Sequence, residues 1–186
     1  MIIGLIFVLG AGGLYTYIQI DEKRANESAS VMAAAVWEYV ENTGRTPETP
    51  EEQEDGIEAM LIDGNEYYGI LSIPSLSLEL PVLSQWSYPK LKIAPCLYNA
   101  DYEKNSLVVA AHNYQSHFGK LNQLSGGEAI LLTDMDGVEH AYTVTTVEVT
   151  EPTDIAGMLD DTWNLTLFTC TYRGDARVTV RCMLTE

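Results

Sequence analysis

The part of the chain after about residue 57 consists of short apolar runs separated by turn residues. Runs such as "NSLVVAA", "EAILLTD" and "NLTLFTC" are too short for helices of ordinary length, and "YTVTTVEV" alternates apolar and polar side chains. Pro74, the pair Gly126 and Gly127, and the pair Gly174 and Asp175 are among the residues between them. Many short strands at this spacing are typical of a barrel. The sequence predicts an all-β, closed or nearly closed β-barrel over residues 57–186, with short helices.

The first residues form a separate apolar segment. Residues 2–20 contain no charged side chain, and a helix of that length just spans a hydrocarbon core of about 30 Å. No basic residue precedes the run and no small-residue cleavage site follows it, which argues against a cleaved signal peptide. A buried helix is the other alternative. We predict a transmembrane anchor over residues 1–20; Lys23 and Arg24, just after it, would favour a cytoplasmic C-terminus.

Residues 21–56 are predicted to be a helical stalk followed by an acidic linker. Met32, Val36 and Val40 recur at helical spacing, which fits either a stalk or a helix packed on the barrel. The stretch "TPETPEEQEDGIE" then concentrates acidic residues and prolines. The formal net charge is −17, and nucleic acid is excluded as a partner because phosphate binding needs clustered Lys and Arg.

The three cysteines fit neither a zinc site nor a disulfide framework. Whether Cys96 and Cys182 pair is left open. Cys170 ends the run "LTLFTC" and precedes the polar turn "TYRGDA". Free cysteines are usually core residues, but a nucleophile needs this location, with a rigid strand behind it and open space ahead.

A catalytic thiol also needs a base and a donor for the developing oxyanion. An unperturbed thiol is only a few per cent thiolate at neutral pH, so a catalytic cysteine needs a nearby imidazole or cation. His112 ends the run "LVVAAH", and Arg177 opens the strand after the turn that follows Cys170. A surface histidine and an edge-strand charge are the alternatives. His117 and His140 are assigned no role.

Taken together, these segments resemble the sortases of Gram-positive bacteria. "TLFTC" matches the family's TLxTC pattern around Cys170, Arg177 stands where the family has its essential arginine, and "VVAAHN" matches its histidine segment. "FGKLNQLSGGEAILLTDMDGVEHAYTV" and "YGILSIPSLSLELPVL" are similar to further family motifs in the same order. The resemblance covers about residues 67–183 and implies a closed eight-stranded barrel.

The resemblance also implies a reaction. Sortases are cysteine transpeptidases that cleave an LPxTG-like C-terminal sorting motif of surface proteins after its threonine. Cys170 would form the thioester, His112 would transfer protons, and Arg177 would hold the oxyanion or the peptide. The acceptor would be the amine of a cell-wall peptidoglycan precursor or of a pilin lysine. The implied location is the cell membrane, with one membrane span and an extracellular catalytic domain. This orientation is opposite to the one that Lys23 and Arg24 favour.

The interval before the cysteine strand, residues 152–164, is predicted to hold one short helix and to form one wall of a peptide groove. Candidate substrate contacts are Ile155, Met158 and Leu159, together with Thr169 beside the cysteine. No metal or cofactor is assigned, although some sortases bind calcium near this interval. The acidic residues nearby are Glu148, Glu151, Asp154, Asp160 and Asp161.

The subclass stays open, because the histidine segment resembles class B sortases while the short interval resembles classes A, C and D. Two alternatives to a transpeptidase also stay open. A hydrolytic cysteine protease would use the same thiol and imidazole with water as acceptor. A non-catalytic surface β-barrel used in assembly would keep Cys170 as a structural residue.

Overall fold

A computed structural model describes residues 2–43, 60–62 and 64–185. The described helices are α1 (Ile2–Thr43), α2 (Tyr88–Leu91) and α3 (Ile155–Met158). The strands are β1 (Met60–Ile62), β2 (Asn65–Ile73), β3 (Leu78–Leu83), β4 (Cys96–Asp101), β5 (Ser106–Ala110), β6 (Ala129–Asp134), β7 (Glu139–Thr150), β8 (Leu165–Cys170) and β9 (Arg177–Leu184). Two single 3₁₀ turns, Pro74–Leu76 and Leu121–Gln123, complete the described elements.

Eight strands close into a barrel, as predicted. Their order is β2-β3-β4-β5-β8-β9-β7-β6, and pairing of β2 with β6 closes the sheet. Strand β1 is a short addition to the start of β2. The pairs β3–β4 and β5–β8 are parallel and the others are antiparallel. Closure leaves few unpaired strand edges and gives the barrel two ends at which loops collect.

The closure of the barrel depends on a glycine. Gly69 pairs with Val82 of β3 on one side and with Asp134 of β6 on the other. A Cβ atom at position 69 would lie 2.2 Å from the carbonyl oxygen of Thr133. Any side chain there would force β2 and β6 apart, so this position requires glycine.

Buried apolar residues form two clusters. The larger cluster fills the barrel and includes Leu71, Val109 and Leu167. The smaller one lies outside the barrel wall, under α1, where Val36 packs with Ile70. The second cluster means that α1 is part of the hydrophobic core rather than an isolated stalk.

Helix α1 is continuous from the predicted anchor into the predicted stalk. Ala25, Ala29 and Ala33 are buried, and the Trp37 Nε1 donates a hydrogen bond to Glu79 Oε1 of β3 at 2.9 Å. Of the two interpretations of the stalk, the packed helix is therefore the observed one. The linker that the sequence predicts after it falls mostly on residues 44–59, which lie outside the described part of the chain.

Residues 7–20 of α1 are exposed. Phe7, Leu9 and Leu14 each expose more than half of their surface. Among the residues that the structure describes, no helix combines the length and hydropathy needed for a membrane span. The predicted anchor includes Met1 and the side chains of residues 2–6, which fall outside that description.

The cysteines are all free thiols. Cys96 belongs to the cluster under α1, and Cys182 belongs to the cluster inside the barrel. Burial raises the pKa of each of these two thiols to about 12. Cys170 alone is partly exposed, so it is the cysteine that solvent or a substrate can reach.

Candidate active site

The β8–β9 hairpin brings the predicted nucleophile and the predicted cation together. Cys170 and Arg177 are directly paired in the antiparallel ladder, so both side chains project from the same face at neighbouring positions. Leu165 and Leu167 point into the barrel. Because side chains alternate along a strand, Cys170 points outward.

The turn after Cys170 fixes this pairing. The Thr171 N–H donates to the Ala176 carbonyl at 2.9 Å, and the Gly174 N–H donates to the Thr171 carbonyl at 2.9 Å. Gly174 adopts a positive φ of 75°, which favours glycine. The Thr171 hydroxyl donates to Asp175 at 2.8 Å. The strand ends at the cysteine because the next residues are committed to this turn.

Arg177 is available to a ligand. Its Nη1 donates to the carbonyl of Ala176 at 3.1 Å, and no carboxylate among the described residues pairs with it. A guanidinium carries five N–H donors in a planar fork. The remaining donors can therefore reach an oxygen atom that lies beside the Cys170 sulfur.

The β5–β8 pairing places His112 at the same end of the barrel. Ala110 and Phe168 are partners in this parallel pair, so His112 and Cys170, each two residues further along, reach the same level. The Ala111 N–H donates to the Phe168 carbonyl at 3.2 Å, and the Thr169 hydroxyl donates to the Ala111 carbonyl at 2.8 Å. The strand pairings thus place His112 at the end of the barrel that carries Cys170 and Arg177.

The His112 imidazole is half-buried and largely uncharged at neutral pH. Burial lowers its pKa below the ordinary value, Lys92 acts in the same direction, and Asp21 opposes both. Its Nε2 is buried without a hydrogen-bond partner, and no hydrogen bond joins the imidazole to the Cys170 sulfur within the described residues. A neutral imidazole can accept a proton from a thiol, which is the role required of a base.

The segment before β8 folds over the outer face of the hairpin. Its short helix α3 was predicted, and it is held by Arg181, a residue to which the sequence gave no role. The buried Arg181 side chain donates to the Gly157 carbonyl at 2.8 Å, to Glu148 at 2.9 Å and to the Thr166 hydroxyl at 3.2 Å. Arg181 lies four residues after Arg177 in β9 and therefore on the same face of the strand, but only the strand register shows what its side chain contacts.

The four candidate substrate contacts differ in exposure. Ile155 exposes 51% of its surface and Leu159 exposes 37%, whereas Met158 exposes only 5%. Thr169 is also buried, and its hydroxyl is used by the Ala111 carbonyl. Ile155 and Leu159 can therefore meet a ligand directly. Met158 and Thr169 are instead buried within the protein.

A row of aromatic side chains leads away from Cys170, and the sequence analysis did not predict it. Phe168 lies edge-to-face with Tyr98 at 5.3 Å between ring centroids, Tyr98 contacts Trp86 at 5.3 Å, and Trp86 contacts Tyr88 at 5.8 Å. Trp86 and Tyr98 also line an open groove of about 340 Å³. These residues come from three separate elements, so no local pattern signals their contact.

Three of the five acidic residues near α3 are engaged in other contacts. Glu148 pairs with Arg181, Asp154 accepts a hydrogen bond from the Gly157 N–H at the start of α3, and Asp161 pairs with Lys104. Within residues 2–43, 60–62 and 64–185, no group of three or more His, Cys, Asp or Glu is placed to hold a metal ion.

The two other histidines have different surroundings. His140 lies near the start of β7 and contacts Asp134 at 2.9 Å. His117 is fully buried close to the catalytic end, and neither of its ring nitrogens has a hydrogen-bond partner in the described structure. Burial lowers the pKa of His117 to about 4, helped by His112 and opposed by the Ala25 backbone.

Comparison with known proteins gives a consistent result. A sequence model of the sortase domain matches residues 71–185, and no match is found among curated proteins. The fold is similar to a Clostridium perfringens sortase D5 transpeptidase, with a TM-score of 0.65 and 17% identity over 88% of this chain and 99% of that one. It is also similar to Streptococcus pneumoniae sortase C, with a TM-score of 0.59 and 19% identity over 92% and 97% of the two chains.

A third similar structure is a Clostridium perfringens sortase C solved with a C-terminal cell wall sorting motif. Its TM-score is 0.57 at 19% identity, over 89% of this chain and 88% of that chain. At such identities the structural likeness concerns the fold, while the sequence model concerns the family.

Proposed function

Because this chain belongs to the sortase family, we propose that it is a cysteine transpeptidase that cleaves an LPxTG-like sorting motif near the C-terminus of surface proteins. The observation that carries the proposal is the Cys170–Arg177 pair at the end of β8, with His112 in the loop that directly follows β5 at the same end of the barrel. This arrangement supplies a nucleophile, an oxyanion donor and a proton carrier at one end of a rigid barrel.

In the first half-reaction, the Cys170 sulfur attacks the carbonyl carbon of the motif threonine. The thiol proton passes to His112, and the tetrahedral oxyanion is held by Arg177. Collapse of this intermediate breaks the peptide bond, and His112 returns its proton to the departing amine. The products are a thioester on Cys170 and a free amine at the new N-terminus of the released segment.

In the second half-reaction, an acceptor amine attacks the thioester. His112 removes the amine proton and returns it to the departing sulfur, so the enzyme regains its starting state. The proposed acceptor is an amine of a peptidoglycan precursor or a pilin lysine. A hydrolytic protease would use water at this step, and nothing in the site geometry favours that alternative.

We also propose that residues 1–20 hold the enzyme in the cell membrane, with the barrel outside the cell. The support is the uncharged run over residues 2–20 and the exposure of its apolar side chains, such as Phe7 and Leu9. Sortases are cell-surface enzymes, and a membrane location would place the site where exported substrates emerge.

A peptide screen tests the proposal. The full chain is incubated with a panel of sorting-motif peptides, with and without an added amine, and the products are identified by mass spectrometry. A transpeptidase joins the cleaved peptide to the added amine through an amide bond. It also forms a thioester between Cys170 and the peptide, which should be absent in Cys170→Ala. Cleavage at the same rate with only carboxylate products would instead support the hydrolase, and no cleavage of any motif would contradict both.

A further inference from the structure

Helix α1 contacts the loop that carries His112 at two points. The Tyr114 hydroxyl donates to Asp21 Oδ2 at 2.6 Å, and the Gln115 N–H donates to Glu22 Oε1 at 2.6 Å. Each pair joins residues 93 positions apart in the chain. Hydrogen bonds to a carboxylate are shorter and stronger than those between neutral groups. These contacts therefore fix the loop to the helix.

The close approach of α1 depends on small residues. Asp21, Ala25, Ala29 and Ala33 recur at four-residue spacing, so they lie on one face of the helix. The three alanines are buried, and Ala29 belongs to the same core cluster as Phe118 of the loop. A larger side chain on this face would move the helix away and separate Asp21 from Tyr114.

Tyr114 transmits the contact to the imidazole. Its ring centroid lies 5.0 Å from that of His112 and 5.4 Å from that of His117. His117 is fully buried, so it forms a fixed support for the tyrosine. The His112 ring packs against the same tyrosine, whose hydroxyl is held by Asp21.

The loop itself has little freedom. The Tyr114 carbonyl accepts hydrogen bonds from the His117 and Gly119 N–H groups, and the His112 carbonyl accepts one from Phe118. A Cβ atom at Gly119 would lie 2.5 Å from the Asn113 carbonyl oxygen, so the loop closes tightly there. Orientation of the imidazole is thus set by the loop as one unit and by what that unit packs against.

We propose that Asp21 is a positioning residue for His112, acting through the Tyr114 ring, and that α1 is therefore a working part of the active site. This inference rests on the proposed role of His112 as proton carrier. Asp21 does not touch the substrate. Its part is to hold the imidazole in the orientation that faces the Cys170 end of the barrel, with Glu22 holding the neighbouring backbone.

The charge of Asp21 adds an effect that can be measured separately. His112 is faced by Asp21 from α1, by Lys92 from the segment before β4, and by Tyr114 and His117 from its own loop. Among these, the Asp21 carboxylate raises the pKa of His112, while Lys92 and burial lower it. Removal of the carboxylate charge should therefore lower the pKa of His112 further.

Four single variants of the full chain in detergent separate geometry from charge. Asp21→Ala removes both the acceptor and the charge, Asp21→Asn keeps an acceptor oxygen, and Tyr114→Phe removes only the hydroxyl. Glu27→Gln is the matched control, because Glu27 is an exposed carboxylate of α1 that pairs with Lys23. The readouts are kcat, KM, the pH profile of kcat/KM, and NMR titration of the His112 ring.

We expect Asp21→Ala and Tyr114→Phe to lower kcat roughly tenfold to a hundredfold with KM within about twofold, since a misplaced group costs rate more than binding. The double variant should lose little more than either single variant, because both break one contact. Asp21→Asn should recover most of kcat but keep a His112 titration midpoint below that of the wild type. Glu27→Gln should match the wild type throughout.

The proposal is overturned if Asp21→Ala keeps wild-type kcat and an unchanged His112 titration, or if losses in the double variant are additive. Should Asp21→Ala not fold, Asp21→Asn and Tyr114→Phe still give the titration and the kcat comparison. If the wild type shows no transpeptidation with any peptide, the proposed function fails. In that case the NMR titration alone still tests whether Asp21 affects His112, through the shift of the His112 titration midpoint in Asp21→Asn.

Discussion

Cys170 and Arg177 are direct partners in the β8–β9 ladder, and the tight turn between them leaves no other register for the hairpin. The backbone pairing of the two strands therefore places Cys170 and Arg177 side by side, and their proximity does not depend on flexible loops. A site built on strand ends holds its geometry better than one built on mobile segments. The histidine loop is the one part of the site whose position depends on a separate element, α1.

The first prediction is that Cys170, His112 and Arg177 act as one unit, so their losses do not add. Cys170→Ala should abolish the thioester, and His112→Ala should lower turnover by at least the roughly 10²–10⁴-fold typical of a lost general acid or base. Arg177→Lys should not restore the activity lost in Arg177→Ala, because one ammonium cannot reproduce the planar fork. The measurement is transpeptidation of a motif peptide onto an amine, for single variants and for His112→Ala combined with Arg177→Ala.

The control for this series is His140→Gln. His140 lies near the start of β7, whereas Thr150 at the end of β7 pairs with Arg177. Ten residues of strand separate them, which is about 30 Å. Its loss should leave turnover unchanged. An inactive His140→Gln variant, or an active Cys170→Ala variant, would contradict the assigned site.

The second prediction concerns α3, where the sequence grouped residues that the structure separates. Ile155 is half exposed and Met158 is buried. Ile155→Ala should raise KM or change motif preference with the melting temperature nearly unchanged. Met158→Ala should instead cost roughly 2–5 kcal/mol of stability with kcat/KM retained in the folded fraction. Thermal melts and steady-state kinetics on both variants test this prediction. A loss of stability with unchanged kinetics in Ile155→Ala would show that Ile155 only covers the barrel end.

The sequence predicts some residues of the site but not others. Cys170, Arg177 and His112 stand at strand ends, and strand ends can be read from apolar runs and turn residues. Arg181 and the row from Phe168 to Trp86 could not be found in this way, because their contacts depend on strand register and on pairing between distant elements. The four-residue spacing of Asp21 and the alanines after it is visible in the sequence, but not the loop that covers it.

The third prediction is a pH dependence of stability that arises from His117. The pKa of this buried imidazole is lowered to about 4 from an ordinary value of 6.5. Between these values the unfolded chain binds more protons than the folded one, so stability rises with pH there. The stabilisation is complete above about pH 6.5 and is lost as the pH falls toward 4, with a total on the order of 3 kcal/mol.

Comparison with His117→Leu isolates this effect from the titration of the many carboxylates. Urea unfolding of both proteins at intervals from pH 7.5 to 4 should show a smaller decline for His117→Leu than for the wild type. Equal declines would contradict the prediction, because they would mean that folding does not change the pKa of His117. Because His117 is fully buried and its removal affects packing, His117→Ala is not used as a control for catalysis.

The fourth prediction concerns the barrel without its helix. The sequence alone predicts that residues 57–186 fold as an independent barrel. In the structure, Val36 of α1 is fully buried with Ile70 and Leu83 in the cluster outside the barrel wall. Burial of one such side chain contributes about 1.5–3 kcal/mol, and removal of α1 also exposes the barrel residues beneath it. We therefore expect the 57–186 fragment to be less stable than a fragment that begins at residue 21, by several times this amount.

Two fragments and one variant separate stability from site assembly. Residues 21–186 keep Asp21, Glu22 and the buried alanines, and should show the melting temperature and turnover of the full chain. Residues 57–186 should melt earlier and, where folded, should turn over more slowly because the loop of His112 has lost its support. Val36→Ala in the longer fragment should lower stability by roughly 2 kcal/mol and leave kcat unchanged, since it breaks packing far along α1 from Asp21. Equal stability and equal kcat in the two fragments would show that α1 contributes neither to the core nor to the site.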